Sequence, residues 1–312
     1  MLSNKIHTLL KVCECGSSVK AAEQLNLTQP AVSQHIKSLE EELGVTIFDR
    51  GNGRLSLTKQ GNEVIDCAKK LTGIYDQLKR DIRDGSSLKS HLTVGVTHTA
   101  ASNPVIEALA VYGAKNPQVN IKIITDNIRN LYAALRRYEI DLAFVEGREK
   151  DPDIRYLLLD TDHLVLVVAP DHPLAKKAMV TLNDLKKERM ILRLPNSGTR
   201  NLFVAHLESN NMNINDFNLI LEVDNVATIK DLVRQNFGVS VLAQSVCLDE
   251  IKKGKIVALP VENLSMIRDM NIAYPSDFTK FDLLQEIVNS YHETMSLYRT
   301  VYDRFAPDRS IR

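Results

Sequence analysis

Two short helical patterns separated by only a few residues constrain the fold of this chain more than any other feature of its sequence. Ser17 and Ser18 are residues of the helix N-cap type, and the small side chains of Ala21 and Ala22 follow on one helical face. This first helix is predicted to end near Leu25. Small residues on that face allow a second helix to cross closely, as a helix-turn-helix requires.

The second helix is predicted to begin within a few residues of the first. Thr28 has a hydroxyl that can accept from the free N–H groups of a helix start, and Pro30 suits a first turn because no N–H is needed there. Gly44 then ends the helix. Its outward face is polar and consists of Gln29, Ser33, Gln34 and Lys37. Such residues are typical of a recognition helix that contacts base edges and phosphates in a major groove.

A two-stranded hairpin is predicted after this helix. Apolar residues cluster on both sides of Gly51-Asn52-Gly53, and the Asn-Gly pair favours the positive φ angles of a tight turn. Arg50 and Arg54 flank the turn, where they are placed to meet backbone phosphates. The hairpin therefore has the position and the charge of a wing beside a DNA-reading helix.

The segment LTQPAVSQHIKSLEEELGVTIFDR, followed by GRLSLTKQG, closely resembles the DNA-binding domain of LysR-type transcriptional regulators. The similarity continues without a gap over roughly the first sixty residues. Val19 is a departure, since the family normally has an aromatic there, and we expect it to affect packing rather than DNA choice. We predict DNA contacts by Thr28, Gln29, Pro30, Ser33, Gln34, Lys37, Arg50 and Arg54.

A long linker helix is predicted to begin near Thr58 and to end before Asp84. A heptad seam marks one of its faces and comprises Val64, Ala68, Leu71, Tyr75, Leu78 and Ile82. This seam can pack on its own domain, but it more naturally pairs with a second copy of the chain, because little else is available to cover it. The resemblance implies the same pairing, commonly extended to a tetramer, with double-stranded DNA, a small-molecule effector and RNA polymerase as further candidate partners.

The composition is that of an ordinary protein of two or three domains. The chain has 312 residues, of which 44% are hydrophobic and 25% charged, and its formal net charge is zero. It has neither an apolar run of membrane-spanning length nor a signal-peptide pattern, so the cytoplasm is the expected location. The cysteines fit no zinc or thioredoxin spacing, which favours idle thiols over a redox pair; they are Cys13, Cys15, Cys67 and Cys247.

From residue 92 onward, short apolar strands alternate with amphipathic helices, which predicts a parallel sheet with helical crossovers. Strands are predicted at 92–97, 120–125, 140–146, near 162–169 and at 267–274, with further strands between these last two, and a terminal helix at 281–305. The predicted architecture is an α+β winged helix-turn-helix head (1–58), a linker helix (59–88) and a two-lobed α/β effector domain (89–312). One lobe takes about 89–162 and 267–312, the other about 163–266. The resemblance implies a fold like that of periplasmic solute-binding proteins for this effector domain.

Ligands of open α/β sheets bind at the carboxyl ends of the strands, and these ends are rich in hydroxyl groups here. One lies at 95–104 and the other at 194–200, each leading into a helix N-terminus that favours an anion. Ser197-Gly198-Thr199-Arg200 and Val145-Glu146-Gly147 resemble segments of a large subset of the family. The predicted effector-binding residues are Thr97, His98, Thr99, Ser102, Glu146, Ser197, Thr199 and Asn225. Glu146 fits an anion poorly and suits an amine or hydroxyl better.

The sequence thus predicts a DNA-binding transcriptional regulator whose effector is a small, anionic metabolite. An enzyme is the competing class, but the chain has no Walker loop, dinucleotide glycine motif, nucleophile elbow or metal-ligand spacing. We therefore expect no catalytic residues, metal or cofactor. A further alternative is an effector domain that serves assembly alone, which ligand-dependent stabilisation of residues 88–312 would exclude. The sequence leaves open the effector, the operator and whether the regulator activates or represses.

Overall fold

The computed structural model describes residues 3–49, 55–86, 90–195, 197–262 and 266–298. The chain divides into two compact units: Met1–Ser90 with Arg136–Glu139, and His91–Leu135 with Ile140–Arg312. Within the described ranges, no helix is both long enough and apolar enough to cross a membrane.

The first unit contains the predicted winged helix-turn-helix. Its elements are α1 (Asn4–Cys15), α2 (Ser18–Leu25), α3 (Gln29–Leu43), β1 (Phe48–Asp49), β2 (Ser56–Leu57) and α4 (Lys59–Ser86). The predicted caps form, since Ser17 Oγ accepts from the N–H of Lys20 at 3.5 Å and Thr28 Oγ1 from that of Ala31 at 3.3 Å. Gly44 ends α3 at a φ of 66°, a left-handed value that glycine adopts without strain.

The small core of this unit explains one glycine that the sequence pattern leaves unexplained. Side chains of α1, α2 and α3 pack with Ile47 and with the start of α4. The first turn of α4 runs so close to Ile47 that a Cβ on Gly61 would lie 2.1 Å from the carbonyl oxygen of Ile47. Only glycine fits such an approach, and Thr58 fixes it further because its Oγ1 accepts from the N–H of Gly61 at 2.8 Å.

The apolar seam of α4 has two parts. Ala68 is buried in the core of the first unit, with Ile65 beside it. Beyond this point the seam is exposed in the isolated chain, with 53% of Leu78 and 63% of Ile82 accessible to solvent. The alternative prediction, that the seam packs on its own domain, therefore holds only for the first turns of α4, as far as Ala68.

The second unit alternates strands and helices. The strands are β3 (Ser90–Val96), β4 (Val119–Thr125), β5 (Leu142–Glu146), β6 (Ile154–Val168), β7 (Arg189–Arg193), β8 (Asn218–Val223), β9 (Ser240–Ala243), β10 (Val257–Leu259) and β11 (Ile267–Pro275). The helices are α5 (Val105–Lys115), α6 (Ile128–Arg136), α7 (Leu182–Leu185), α8 (Gly198–Ser209), α9 (Val226–Arg234), α10 (Leu248–Lys252) and α11 (Phe281–Ser296). Separate hydrophobic cores form around β7 to β10 and around β3, β5, α5 and α11.

The sheet is mixed, so the prediction of a parallel sheet is only partly correct. Strand order is β10-β6-β11-β5-β3-β4, with β9 also paired to β6. In this sheet β3 and β5 are parallel, whereas β11 runs antiparallel to both β5 and β6. Strands β7 and β8 form a separate, parallel two-stranded sheet. Strand β11 comes from the C-terminal part of the chain and lies between β5 and β6, running opposite to both. The local alternation of strands and helices could not specify its direction.

Two elements differ in length from their predictions. The strand expected near 162–169 is β6, which begins at Ile154 and pairs with β11 before it pairs with β9 and β10. The terminal helix, expected to reach residue 305, ends at Ser296, and residues 299–305 lie outside the described ranges. Tyr291 and Met295 of this helix are buried, as a packing stripe requires.

Candidate functional sites

The start of α3 exposes the predicted DNA-contacting residues. Thr28, Gln29, Pro30, Gln34 and Lys37 are exposed, and Ser33 is half-buried. Gln29 Nε2 donates to Ser33 Oγ at 3.0 Å, which orders two of these polar groups on successive turns. The face is therefore accessible to a duplex, and its donors and acceptors suit base edges.

The predicted phosphate contacts Arg50 and Arg54 are outside the described residues. The two short strands β1 and β2 are described and pair as expected, with Phe48 opposite Leu57. Sequence reasoning missed Glu40, which positions this wing. Its Oε1 accepts from the N–H groups of Ile47 at 2.7 Å and Phe48 at 3.3 Å, so a side chain of α3 fixes the start of β1.

In the second unit, Thr97 and Glu146 form a hydrogen-bonded pair. Thr97 follows β3, Glu146 ends β5, and the two strands are parallel neighbours, so both residues lie at the same carboxyl edge. Thr97 Oγ1 donates to Glu146 Oε1 at 2.8 Å and accepts from the N–H of Ala100 at 3.1 Å. Thr97 is buried and Glu146 half-buried. The hydroxyl of Thr97 thus holds the carboxylate of Glu146 at the strand edge.

The rest of the loop after β3 is a single 3-10 turn at Ala100–Ser102. Thr99 is buried and His98 half-buried. Ser102 Oγ donates to the carbonyl of His98 at 3.3 Å, while Asn103 Oδ1 accepts from the N–H of Val105 at 2.8 Å. The N-cap of α5 is Pro104, which has no side-chain capping bond, so Asn103 supports the helix start from the preceding position.

Three predicted residues lie in the other half of this unit. Thr199 is buried in the first turn of α8, and Ser197 is the N-cap of that helix but makes no side-chain capping bond. Asn225 caps α9, where its Oδ1 accepts from the N–H of Thr228 at 3.1 Å. Its amide oxygen therefore serves helix α9.

Sequence reasoning missed Arg268, which links the two halves. It lies on β11, and its Nη1 donates to Thr199 Oγ1 at 3.3 Å, while Nη2 is 3.5 Å from Asp162 Oδ2. The side chain of Arg268 is 8% exposed and that of Asp162 1%. Both strands carry further polar and charged side chains, so the sequence does not single out Arg268 or Asp162.

Metal-ligand clusters and cysteine environments were the remaining candidates for chemistry in the described residues. Among them, no group of three His, Cys, Asp or Glu side chains could hold a metal ion. All four cysteines are unbridged. Burial raises the pKa of Cys13 and of Cys247, which disfavours their reactive thiolate forms.

Family comparisons cover nearly the whole chain. The model of the LysR substrate binding domain matches residues 85–296. The model of the bacterial regulatory helix-turn-helix protein of the lysR family matches residues 3–62.

Relatives of full length support these matches. The chain is 31% identical to the HTH-type transcriptional regulator CbbR of Xanthobacter flavus, over 81% of this chain and 76% of the relative. It is 30% identical to the HTH-type transcriptional activator CmpR of a Synechocystis strain, over 84% and 86% of the two chains.

Solved structures share the fold. A full-length OxyR variant from Pseudomonas aeruginosa superposes with a TM-score of 0.67 at 22% identity, covering 94% of this chain and 95% of the other. Full-length CbnR in complex with its target DNA gives a TM-score of 0.66 at 16% identity, covering 94% and 100%.

Proposed function

Because the chain belongs to the LysR family of DNA-binding transcriptional regulators, we propose that a small anionic metabolite, bound between the two lobes of its C-terminal domain, controls its action on DNA. Family members bind DNA and an effector and are not enzymes. We assign residues 1–58 to the DNA-binding head, 59–88 to the linker and 89–312 to the effector domain, with lobes at about 89–162 plus 267–312 and at about 163–266.

The exposed start of α3 supports the DNA-reading part of the proposal. In this proposal Gln34 contacts a base edge, and Lys37 contributes mainly its positive charge to the attraction for DNA phosphates. We expect Gln34→Ala to change the preferred base at one operator position, a discrimination of about 1–3 kcal/mol. Lys37→Ala should weaken binding to all sequences and reduce the slope of log K against log salt by about one.

The test uses operators that the wild-type chain selects from a random DNA pool, with affinity measured at several salt concentrations. Gln24→Ala, an exposed glutamine on α2, is the matched control and should leave affinity and preference unchanged. If the variants at Gln34 and Lys37 altered sequence preference and salt dependence in the same way, the assigned roles would be wrong.

Thr97 and Thr199 carry the effector part of the proposal. Both are buried hydroxyl residues at strand or helix ends, and Arg268 contacts one of them. The guanidinium, the Thr199 hydroxyl and the N–H groups of a helix start together suit an anionic oxygen, while Thr97 donates to Glu146 and so positions that carboxylate. Thr97, His98, Thr99, Ser102, Glu146, Ser197, Thr199 and Asn225 remain the proposed effector-binding residues.

Paired ligands test whether the effector is anionic. The thermal unfolding temperature of the full chain should rise when at least one small carboxylate is added, and should not rise with the corresponding neutral amide. If amides and carboxylates stabilised the chain equally, the anionic class would be wrong. With a stabilising carboxylate in hand, footprints on DNA should differ with and without it, because an effector acts only through unequal affinity for two arrangements.

We also propose that the exposed part of the α4 seam pairs two chains. Large apolar side chains on one face of a helix need a partner surface. Among the described residues, the first unit buries Ile65 and Ala68 and partly covers Val64, whereas Leu71, Leu78 and Ile82 are exposed. Two heads on one duplex would then bind more tightly than either alone.

A further inference from the structure

Arg268 has hydrogen-bonding capacity that the protein does not use. Its side chain is 8% exposed, and its Nε has no hydrogen-bond partner among the described residues. The guanidinium donates to Thr199 Oγ1, which places it at the first turn of α8. A buried cation with an unused N–H beside a helix start is a site for a negatively charged group.

The neighbouring carboxylate of Asp162 only partly satisfies the guanidinium of Arg268. Asp162 already accepts from the N–H of His163 at 2.9 Å and from the N–H and hydroxyl of Ser245 at 3.2 and 2.7 Å. Its contact with Arg268 is longer, at 3.5 Å. Asp162 therefore positions the guanidinium while its own lone pairs are used mainly elsewhere.

A carboxylate on the neighbouring strand shares the face of the sheet on which Arg268 lies. Glu146 on β5 is directly opposite Met270 on β11, and Arg268 is two residues before Met270. Residues at i and i+2 of a strand point to the same face, so Glu146 and Arg268 are diagonal neighbours at about 7–8 Å. Thr97 holds one oxygen of this carboxylate.

An anion without a donor group would meet Arg268 favourably and Glu146 unfavourably, because like charges at this separation repel. We propose that the effector is an amino acid or a close derivative, with its anionic group on Arg268, Thr199 and the start of α8, and its ammonium on Glu146. This inference rests on the proposed effector site. It adds a positively charged group to the anionic group that the site requires.

Two ligand triads test the inference on the full chain by isothermal titration. One triad is L-aspartate, L-malate and succinate; the other is L-alanine, L-lactate and propionate. Within a triad the members share a carbon skeleton and differ in whether they carry an ammonium, a hydroxyl or hydrogen. We expect the amino acid of at least one triad to bind at least about tenfold more tightly than the member without a donor.

Variants test which residue binds the ammonium of the ligand and which binds its anionic group. Glu146→Gln should collapse the difference within the triad, while Glu208→Gln, an exposed glutamate on α8, should preserve it. Arg268→Gln should weaken every member of the triad. Arg268→Lys keeps the charge beside Asp162, should fold where Gln fails, and should restore part of the affinity.

The outcomes separate this inference from the proposed function. If, in every triad that binds, succinate or propionate bound as tightly as its amino acid, the ammonium would be excluded while an anionic effector would stand. If the difference persisted in Glu146→Gln, the role of Glu146 would be wrong. If no member of either triad bound at millimolar concentration but another carboxylate stabilised the chain, this inference would fail alone; if no carboxylate did, both would fail.

Discussion

The carboxylate of Glu40 accepts a hydrogen bond from the backbone N–H of Ile47 at 2.7 Å. The same oxygen accepts from the N–H of Phe48 at 3.3 Å. Ile47 and Phe48 are buried and open the wing, whereas Glu40 belongs to the recognition helix. One side chain thus fixes the orientation of the wing to the helix that reads DNA.

We expect Glu40→Ala to lower both stability and DNA affinity. The substitution leaves two buried N–H groups without their acceptor, at a cost of about 1–3 kcal/mol for each group that water cannot reach. Chemical denaturation and DNA titration measure the two effects. Glu41→Ala is the matched control, because that exposed glutamate has only a long contact with Lys37 at 3.7 Å. Equal effects of the two variants would show that Glu40 has no special role in the wing.

Gly61→Ala should destabilise the DNA-binding unit. The added methyl would lie 2.1 Å from the carbonyl oxygen of Ile47, so backbone must move, at a cost of about 1–3 kcal/mol or more. Gly198→Ala adds the same methyl at a helix start with nothing within 4 Å. Hydrogen exchange should show faster opening of residues 3–62 in the first variant only, and unchanged exchange there would mean that the turn adapts without strain.

Stability should fall as the pH is lowered from 7 to 5, in part because of His163. Burial lowers the pKa of this side chain below its usual 6.5, although Asp162 and Asp160 act in the opposite direction. The unfolded chain therefore takes up the proton more readily, so the stabilisation is complete above pH 6.5 and is lost as the pH falls through the folded pKa. His163→Gln should flatten this part of the profile in urea denaturation. A profile that keeps its slope in the variant would assign the effect to other groups.

The head could be predicted because its signals are local. The caps at Ser17 and Thr28 and the stop at Gly44 each act within a few residues, and the chain forms them where the pattern indicates. The bond from Ile47 to Glu40 could not be predicted, since a glutamate on an outward face carries no mark of a backbone partner seven residues away. Gly61 likewise depends on a close approach that no local pattern specifies.

The effector half was predictable in its elements and less so in its pairing. The positions of Thr97, just after β3, and of Thr199, in the first turn of α8, follow from apolar runs that lead into hydroxyl-rich turns. The place of Arg268 depends on the register of β11 against β5 and β6, whose residues are far apart in the chain. A periodicity of two says which face a residue shares with its strand neighbours, but not which strand lies beside it.

The exposed seam of α4 yields the last prediction. We expect the full chain to be a dimer or a larger assembly, and Leu78→Ser together with Ile82→Ser to dissociate pairs held by this helix, since each buried leucine or isoleucine contributes about 1.5–3 kcal/mol. Analytical ultracentrifugation over a range of concentrations measures the change. Lys79→Ala, between the two positions and off the seam, should leave assembly intact. The variant should also need a higher protein concentration to occupy DNA, because a single head loses the gain from a second one on the same duplex. A double variant that sedimented like the wild type would place the interface elsewhere and leave these apolar side chains without a partner.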